Sequence, residues 1–131
     1  MKALVDTSVI VRYLVDEPAA QAARAAEILD GPDDLGITGL AVVETAYVLT
    51  SVYGVPRDVV VDHLIALVQK ENMIPVGLSK SVLLEALMLC RPSARLSFTD
   101  AVLWATARHE RISRVATFDR RFPADSIEIL A

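Results

Sequence analysis

Ala3-Leu4-Val5-Asp6-Thr7-Ser8 decides the fold, because a short apolar run here meets side chains that can cap a helix. The pattern predicts a strand that runs straight into a helix. Further strand candidates are 35–37, 73–76, 114–118 and 127–130, and further helix candidates are 18–29, 40–52, 57–69, 79–89 and 99–110. Because short strands alternate with longer helices, we predict an α/β three-layer sandwich (α/β/α) with a short parallel sheet of four to five strands.

The composition indicates one small globular domain. The chain has 131 residues, so residues 1–131 are expected to form a single domain. Hydrophobic residues make up 53% and the mean hydropathy is +0.43, which excludes a disordered chain and suits a buried oligomer interface. The formal net charge is −4, so contacts with nucleic acid would need a local basic patch.

The compartment is also indicated by the composition. Cys90 is the single cysteine, which excludes an internal disulfide and a thiolate metal cluster and suits a reducing compartment. Asp6 and Arg12 interrupt the N-terminal apolar residues, so no signal peptide is predicted. No stretch approaches the roughly 18 uncharged apolar residues of a membrane span. We therefore expect a cytoplasmic protein that does not contact a membrane.

Three acidic residues fall where the predicted topology brings them to one edge of the sheet. Asp6 follows the first strand and Asp119 follows the fourth, and the carboxyl ends of parallel strands share an edge. Asp100 begins the helix that precedes the fourth strand. Because that helix runs antiparallel to the strand, its N-terminus is expected at the same edge.

A fourth acid, Glu44, lies one turn into the helix that follows the second strand. Its neighbours at helical spacing are apolar: Leu40, Val43, Tyr47 and Val48. This spacing predicts that Glu44 lies on the sheet-facing side of the helix, where an ionised carboxylate needs a partner. We therefore expect all four acids to converge.

Carboxylates that converge repel one another, and a cation or a proton removes that penalty. An all-oxygen ligand set without His or Cys selects Mg²⁺ or Mn²⁺. Magnesium held by few carboxylates keeps several waters, one of which can attack a phosphodiester, so the pattern predicts metal-dependent phosphodiester hydrolysis. The plainer interpretations are that Asp6 only caps a helix, that Ser97 and Asp100 only form a capping box, and that Asp119 only forms a turn.

Four motifs match a known family in order along the whole chain. They are Asp-Thr-Ser-Val-Ile at 6–10, Glu44 in a helix, Phe-Thr-Asp-Ala at 98–101 and Ala-Thr-Phe-Asp-Arg-Arg-Phe at 116–122. Together they resemble a PIN-domain ribonuclease of the VapC toxin type. The resemblance implies a Mg²⁺- or Mn²⁺-dependent endoribonuclease with transfer RNA as a candidate substrate. It also implies a VapB-like antitoxin as inhibitor and a homodimer.

The resemblance also implies roles for individual residues. The acidic quartet would be Asp6, Glu44, Asp100 and Asp119, which would hold the metal and carry catalysis. The hydroxyls of Thr7, Ser8 or Thr117 would hydrogen-bond to metal-bound waters or to the carboxylates. Many relatives carry a further acid two residues after the fourth one, where this chain has Arg121.

Arginine is the main source of positive charge, and its fork suits phosphate. The arginines closest in sequence to the acidic motifs are the candidate RNA contacts: Arg12, Arg95, Arg120 and Arg121. Each of them could equally be solvated or paired with a nearby acid. Among the aromatic residues, Tyr13 is a candidate for base stacking, whereas Phe98, Phe122 and Trp104 are expected in the core.

Two other families with an acidic edge are excluded. A phosphorylation receiver domain needs a late lysine, and no lysine follows Lys80. A haloacid-dehalogenase-like phosphatase needs a second Asp where Ser8 stands. The alternative that stays open is a catalytically silent PIN-like module that binds RNA or a protein.

Overall fold

The computed structural model describes residues 2–131, over which strands alternate with helices. The elements, in chain order, are β1 (Ala3–Leu4), α1 (Thr7–Val15), α2 (Ala19–Leu29), β2 (Leu35–Thr38), α3 (Gly39–Ser51), α4 (Arg57–Val68), β3 (Met73–Val76), α5 (Lys80–Cys90), α6 (Phe98–His109), β4 (Arg114–Ala116) and β5 (Glu128–Leu130). The predicted α/β class is confirmed.

The main sheet is parallel and contains β1, β2 and β3 in that order. Ala3 lies opposite Leu35, and Leu35 lies opposite Met73. Pro75 lies in the edge strand β3, where a proline is tolerated because its nitrogen donates no hydrogen bond to a ladder. All three strands therefore point their carboxyl ends to the same edge.

The remaining strands, β4 and β5, form a separate parallel pair instead of extending the main sheet to four or five strands. A physical reason is the length of β1, which has only two residues because the chain turns into α1 at Asp6. Its free edge offers few backbone groups for a further ladder. β4 also ends at Ala116, two residues earlier than predicted.

Side-chain caps set where the helices begin. Thr38 caps α3 by accepting a hydrogen bond from the Ala41 backbone N–H, and Ser79 caps α5 by accepting one from Val82. Both residues are of the types that favour the N-cap position. Because the Thr38 cap directly follows β2, it directs α3 away from the carboxyl edge of the main sheet.

The core is made of apolar side chains from the helices and from β2 and β3. α1 packs against α2 and α3, whereas α5 packs against α4 and α6. Trp104 is buried, as predicted, and Cys90 is buried as well. Between residues 2 and 131, no helix is both long enough and apolar enough to cross a membrane.

Candidate functional site

Asp6 lies at the carboxyl end of the first strand and is the N-cap of α1. Its Oδ2 accepts hydrogen bonds from the Ser8 hydroxyl and, at 3.1 Å, from the Ser8 backbone N–H. These hydrogen bonds lower the pKa of Asp6, and the bond from the Ser8 hydroxyl has the largest effect. Asp6 is exposed, so the capping role leaves a charged carboxylate open to solvent at the edge of the sheet.

Glu44 is exposed on α3, and the prediction that it lies on the sheet-facing side is wrong. Leu40 and Tyr47, which share its side of the helix, are 77% and 63% exposed. The buried face is instead built largely from small residues, including Ala41, Thr45 and Ala46. The small residues allow α3 to pack closely beside the buried Val42 and Leu49, whereas Leu40 and Tyr47 remain on the outside.

Asp6 and Glu44 line the same surface clefts. One cleft of about 290 Å³ lies between the end of β1 and the start of α3, and Thr7 also lines it. A second cleft of about 290 Å³ contains both acids together with Arg12 and Tyr53. The first two acids of the predicted quartet are therefore neighbours on one exposed surface.

Asp100 and Asp119 form the second acidic pair. Asp100 lies in the first turn of α6, where its backbone N–H donates to the Ser97 hydroxyl at 3.0 Å. Burial raises the pKa of Asp100, and the nearby charge of Asp119 raises it further. The pKa of Asp119 is lowered, first by the backbone N–H of Arg121, which donates to Oδ1 at 2.9 Å. The carboxyl of Asp119 therefore ionises more readily than that of an ordinary aspartate, whereas the carboxyl of Asp100 keeps its proton more readily.

Within residues 2–131, no three His, Cys, Asp or Glu side chains are grouped closely enough to form a metal site by themselves. The structure brings the acids together in two pairs, and the convergence of all four on one cation stays a prediction. Each pair nevertheless offers a suitable donor set, because Mg²⁺ commonly uses one or two carboxylates and keeps waters. Burial and, after it, the charge of Asp119 raise the pKa of Asp100, and a bound cation would offset both effects.

Arg57 fixes the turn that places Asp100. Its Nη1 donates to the carbonyl oxygens of Cys90 and Leu96, both at 3.0 Å. Its guanidinium carbon lies 4.3 Å from the centroid of the Phe98 ring. Sequence reasoning missed this residue, because its partners are backbone carbonyls more than thirty positions away.

The three hydroxyl residues proposed to support the site lie at its edges. The Thr7 side chain is buried at the start of α1, and Ser8 donates to Asp6. The Thr117 hydroxyl accepts a hydrogen bond from the Asp119 backbone N–H at 3.0 Å. Ser8 and Thr117 thus orient the carboxylate-bearing residues directly.

The four candidate arginines divide into two groups. Arg12 donates to the Tyr53 hydroxyl at 2.9 Å, beside Asp6 and Glu44. Arg95, Arg120 and Arg121 line one cleft of about 470 Å³, here called the arginine cleft. Arg121 also contacts Asp119, with its Nε 3.4 Å from Oδ1. Arg121 therefore links the lining of this cleft to Asp119 of the second acidic pair.

We predict opposite stability changes for two of the acids in metal-free protein. Asp6→Asn should lower the melting temperature at neutral pH, because it removes a carboxylate whose ionised form is stabilised by hydrogen bonds from Ser8 at the start of α1. Asp100→Asn should raise it at neutral pH, because it removes a carboxylate whose ionised form is disfavoured in the folded state. A carboxyl with a raised folded-state pKa stabilises the folded protein at a pH below its unfolded-state pKa, and this contribution is lost as the pH rises through the folded-state pKa. In acid the carboxyl of Asp100 is protonated and neutral like the amide, so the gain in melting temperature from Asp100→Asn should vanish there. Thermal melts in EDTA at several pH values test both signs, and destabilisation by Asp100→Asn at neutral pH would contradict the repulsion.

Comparison with known proteins agrees with the resemblance in the sequence motifs. The family model described as PIN domain matches residues 3–125, which include all four acids. No curated protein matches the chain significantly. PIN domains are generally nucleases, which supports a hydrolase of the nuclease kind. The chain belongs to the PIN domain family.

Proposed function

We propose that the protein is a Mg²⁺- or Mn²⁺-dependent endoribonuclease that hydrolyses RNA phosphodiester bonds. The observation that carries this proposal is the pair formed by Asp100, in the first turn of α6, and Asp119, which the Arg121 backbone N–H holds at 2.9 Å. Burial raises the pKa of Asp100, whereas the Arg121 backbone lowers that of Asp119. Paired carboxyl groups with separated pKa values are typical of catalytic sites. The exposed pair formed by Asp6 and Glu44 supplies the other two members of the quartet.

The chain's own residues would have distinct roles in this reaction. A bound divalent cation supplies positive charge to the scissile phosphate and lowers the pKa of a coordinated water. Asp6, Glu44 and Asp119 would hold that cation through ionised oxygens. Asp100 would help to hold the same cation. Burial and the charge of Asp119 raise its pKa, which would also let it take up or release a proton there.

Hydrogen bonds hold the acidic groups in fixed positions. Ser8 donates to the Asp6 carboxylate, and the Arg121 backbone donates to Asp119. The Ser97 hydroxyl fixes the first turn of α6 and with it Asp100. Preorganised ligands lose little free energy to reorganisation when the substrate binds, which favours the transition state.

RNA would be held by arginine near both acidic pairs. Arg95, Arg120 and Arg121 line one cleft, in which Arg121 also contacts Asp119, and Arg12 lies beside Asp6. A guanidinium group binds phosphate oxygens in a forked geometry, so these residues suit an RNA backbone. Transfer RNA is our candidate substrate.

We propose a biological role as the VapC-type toxin of a toxin–antitoxin pair, acting in the cytoplasm as a homodimer. A VapB-like antitoxin would inhibit by presenting a basic side chain to the carboxylates, which bind arginine well. The exposed Leu40 and Tyr47 beside Glu44 offer apolar area for a protein contact. A purified complex that cleaves RNA as fast as the free protein would contradict inhibition at this site.

A catalytically silent module that binds RNA or protein is the second candidate. The observation that favours it is that the acids of residues 2–131 lie in pairs, with no group of three. Such a module would bind the same RNA and leave it intact. The two candidates therefore differ in turnover.

We expect the purified protein to cleave single-stranded RNA in Mg²⁺ and to leave 5′-phosphate and 3′-hydroxyl ends. Attack by water does not use the 2′-hydroxyl as nucleophile, so 2′-O-methyl RNA should still be hydrolysed. End-labelled oligonucleotides resolved by electrophoresis and mass spectrometry report the ends. Cyclic 2′,3′-phosphate ends would contradict the proposed chemistry, and binding without cleavage would favour the silent module.

A further inference from the structure

Phe118 is the most exposed large apolar side chain in the part of the chain that the structure describes. Its exposed fraction is 94%, whereas Phe98 and Phe122 are 8% and 5% exposed and lie in the core. Phe118 was expected in the fourth strand, but that strand ends at Ala116. An exposed aromatic ring does not gain the favourable free energy that burial in the core provides. The exposure of Phe118 therefore calls for an explanation other than folding stability.

The turn that carries Phe118 is fixed by hydrogen bonds on its C-terminal side. The Asp119 backbone N–H donates to Thr117, and the Arg121 and Phe122 backbone N–H groups donate to Asp119 at 2.9 and 3.1 Å. The buried ring of Phe122 anchors the same segment in the core. Phe118 is therefore held on an ordered turn. Its Cα atom lies about 3.8 Å from the Cα atom of Asp119, the next residue in the chain.

The surroundings of Phe118 match the chemistry of single-stranded RNA. On its C-terminal side, Arg120 and Arg121 line the arginine cleft together with Arg95, and Asp125 is the acid in that lining. This local excess of positive charge contrasts with the net charge of −4 of the whole chain. An aromatic platform beside a positively charged groove is the usual arrangement for binding unpaired nucleotides.

We propose that Phe118 stacks on an unpaired base next to the scissile phosphate while the RNA backbone continues into the arginine cleft. This inference rests on the proposed function for the position of the scissile phosphate at Asp119. The stacked base would hold the strand in register with the acids and would exclude fully paired RNA. Phe118 is thus a residue that determines substrate specificity.

The experiment measures binding of a fluorescein-labelled 12-nucleotide single-stranded RNA to the full chain in EDTA, so that binding is separated from metal-dependent cleavage. Phe118→Ala should weaken binding by about 5- to 150-fold, the range for loss of one stacked base. Phe118→Trp should bind within a few-fold of wild type, because indole also stacks. Ile112→Ala is the matched control, since Ile112 is 52% exposed and lies beyond the C-terminal end of α6, away from Asp100.

A series of RNAs with one abasic position each identifies the stacked base. One abasic position should weaken binding to wild type yet cause no further loss in Phe118→Ala, because the two changes remove the same contact. Equal RNA affinity of wild type and Phe118→Ala would overturn the proposal. Equal affinity together with altered sedimentation of the variant would assign Phe118 to a protein contact and would also overturn it.

The same variants separate this inference from the proposed nuclease activity. Wild type that binds RNA through Phe118 but leaves it intact in Mg²⁺ would support the stacking role and reject the nuclease. Wild type that cleaves RNA, with Phe118→Ala unchanged in KM and kcat, would reject only the stacking role. Failure of wild type to bind the RNA in EDTA would count against the stacking role.

Discussion

Replacing any one of the four acids by its amide should reduce RNA cleavage by at least about 10²-fold, because each acid is proposed to hold the cation or to move a proton. The variants are Asp6→Asn, Glu44→Gln, Asp100→Asn and Asp119→Asn. Amides keep the size of the side chain and remove its charge. Single-turnover cleavage of the labelled RNA in Mg²⁺ measures the loss, and circular dichroism confirms that each variant is folded.

Glu71→Gln is the matched control for these substitutions. Glu71 is exposed and precedes β3, so it lies toward the amino end of the parallel strands, away from the acidic pairs. The same change of charge there should leave cleavage within about twofold of wild type. Activity similar to wild type in any two of the quartet variants would contradict the assignment.

The comparison of the two pairs is also informative. Equal losses for Glu44→Gln and Asp100→Asn would mean that both pairs act in one reaction. The structure places Glu44 with Asp6 and Asp100 with Asp119, so this result would require the pairs to share a cation or a substrate. Loss confined to one pair would assign catalysis to that pair and substrate binding to the other.

Much of the fold could be predicted because its signals are local. Ser79 and Thr38 cap helices within three residues, and Pro75 belongs to an edge strand for a reason contained in its own backbone. Asp100 and Asp119 were expected at one edge from topology alone, and in the structure the charge of Asp119 acts on Asp100. Helix caps and the direction of the strands were therefore the signals that predicted the positions of Asp100 and Asp119.

The position of Glu44 could not be predicted from the spacing of large apolar residues. Leu40 and Tyr47 suggest a buried face, yet close packing of α3 depends on Ala41, Ala46 and neighbouring small residues. Hydrophobicity ranks these small residues below leucine, whereas the available space in the core favours them. Only the packing against the neighbouring elements decides which face is buried.

The exposure of Phe118 was missed for a related reason, although the sequence contains a signal for it. Val115 is buried and Ala116 is exposed, so strand alternation continued to position 118 puts Phe118 on the exposed side. Its apolar character instead suggested a strand residue. A large aromatic residue that alternation places in solvent, next to a candidate catalytic acid, is worth testing as a substrate contact.

Removing divalent cations should stop RNA cleavage, and this is the second large effect that we expect. Without a cation the quartet cannot stabilise charge on the scissile phosphate, so EDTA should lower the rate by at least about 10²-fold. Adding Mg²⁺ or Mn²⁺ in excess should restore it. Because the cation binds the folded state, it should raise the free energy of unfolding of wild type by about 2.7 kcal/mol at 100 times its Kd, and with it the melting temperature.

Variants distinguish a bound cation from a general effect of ionic strength. Asp100→Asn and Asp119→Asn should each show a smaller rise in melting temperature with Mg²⁺, whereas Glu71→Gln should respond like wild type. Sodium chloride at matched ionic strength should give no comparable rise, since screening acts on all exposed charges alike. Cleavage that persists undiminished in excess EDTA would refute the metal requirement, because the pairs of carboxylates would then have to catalyse hydrolysis by proton transfer alone.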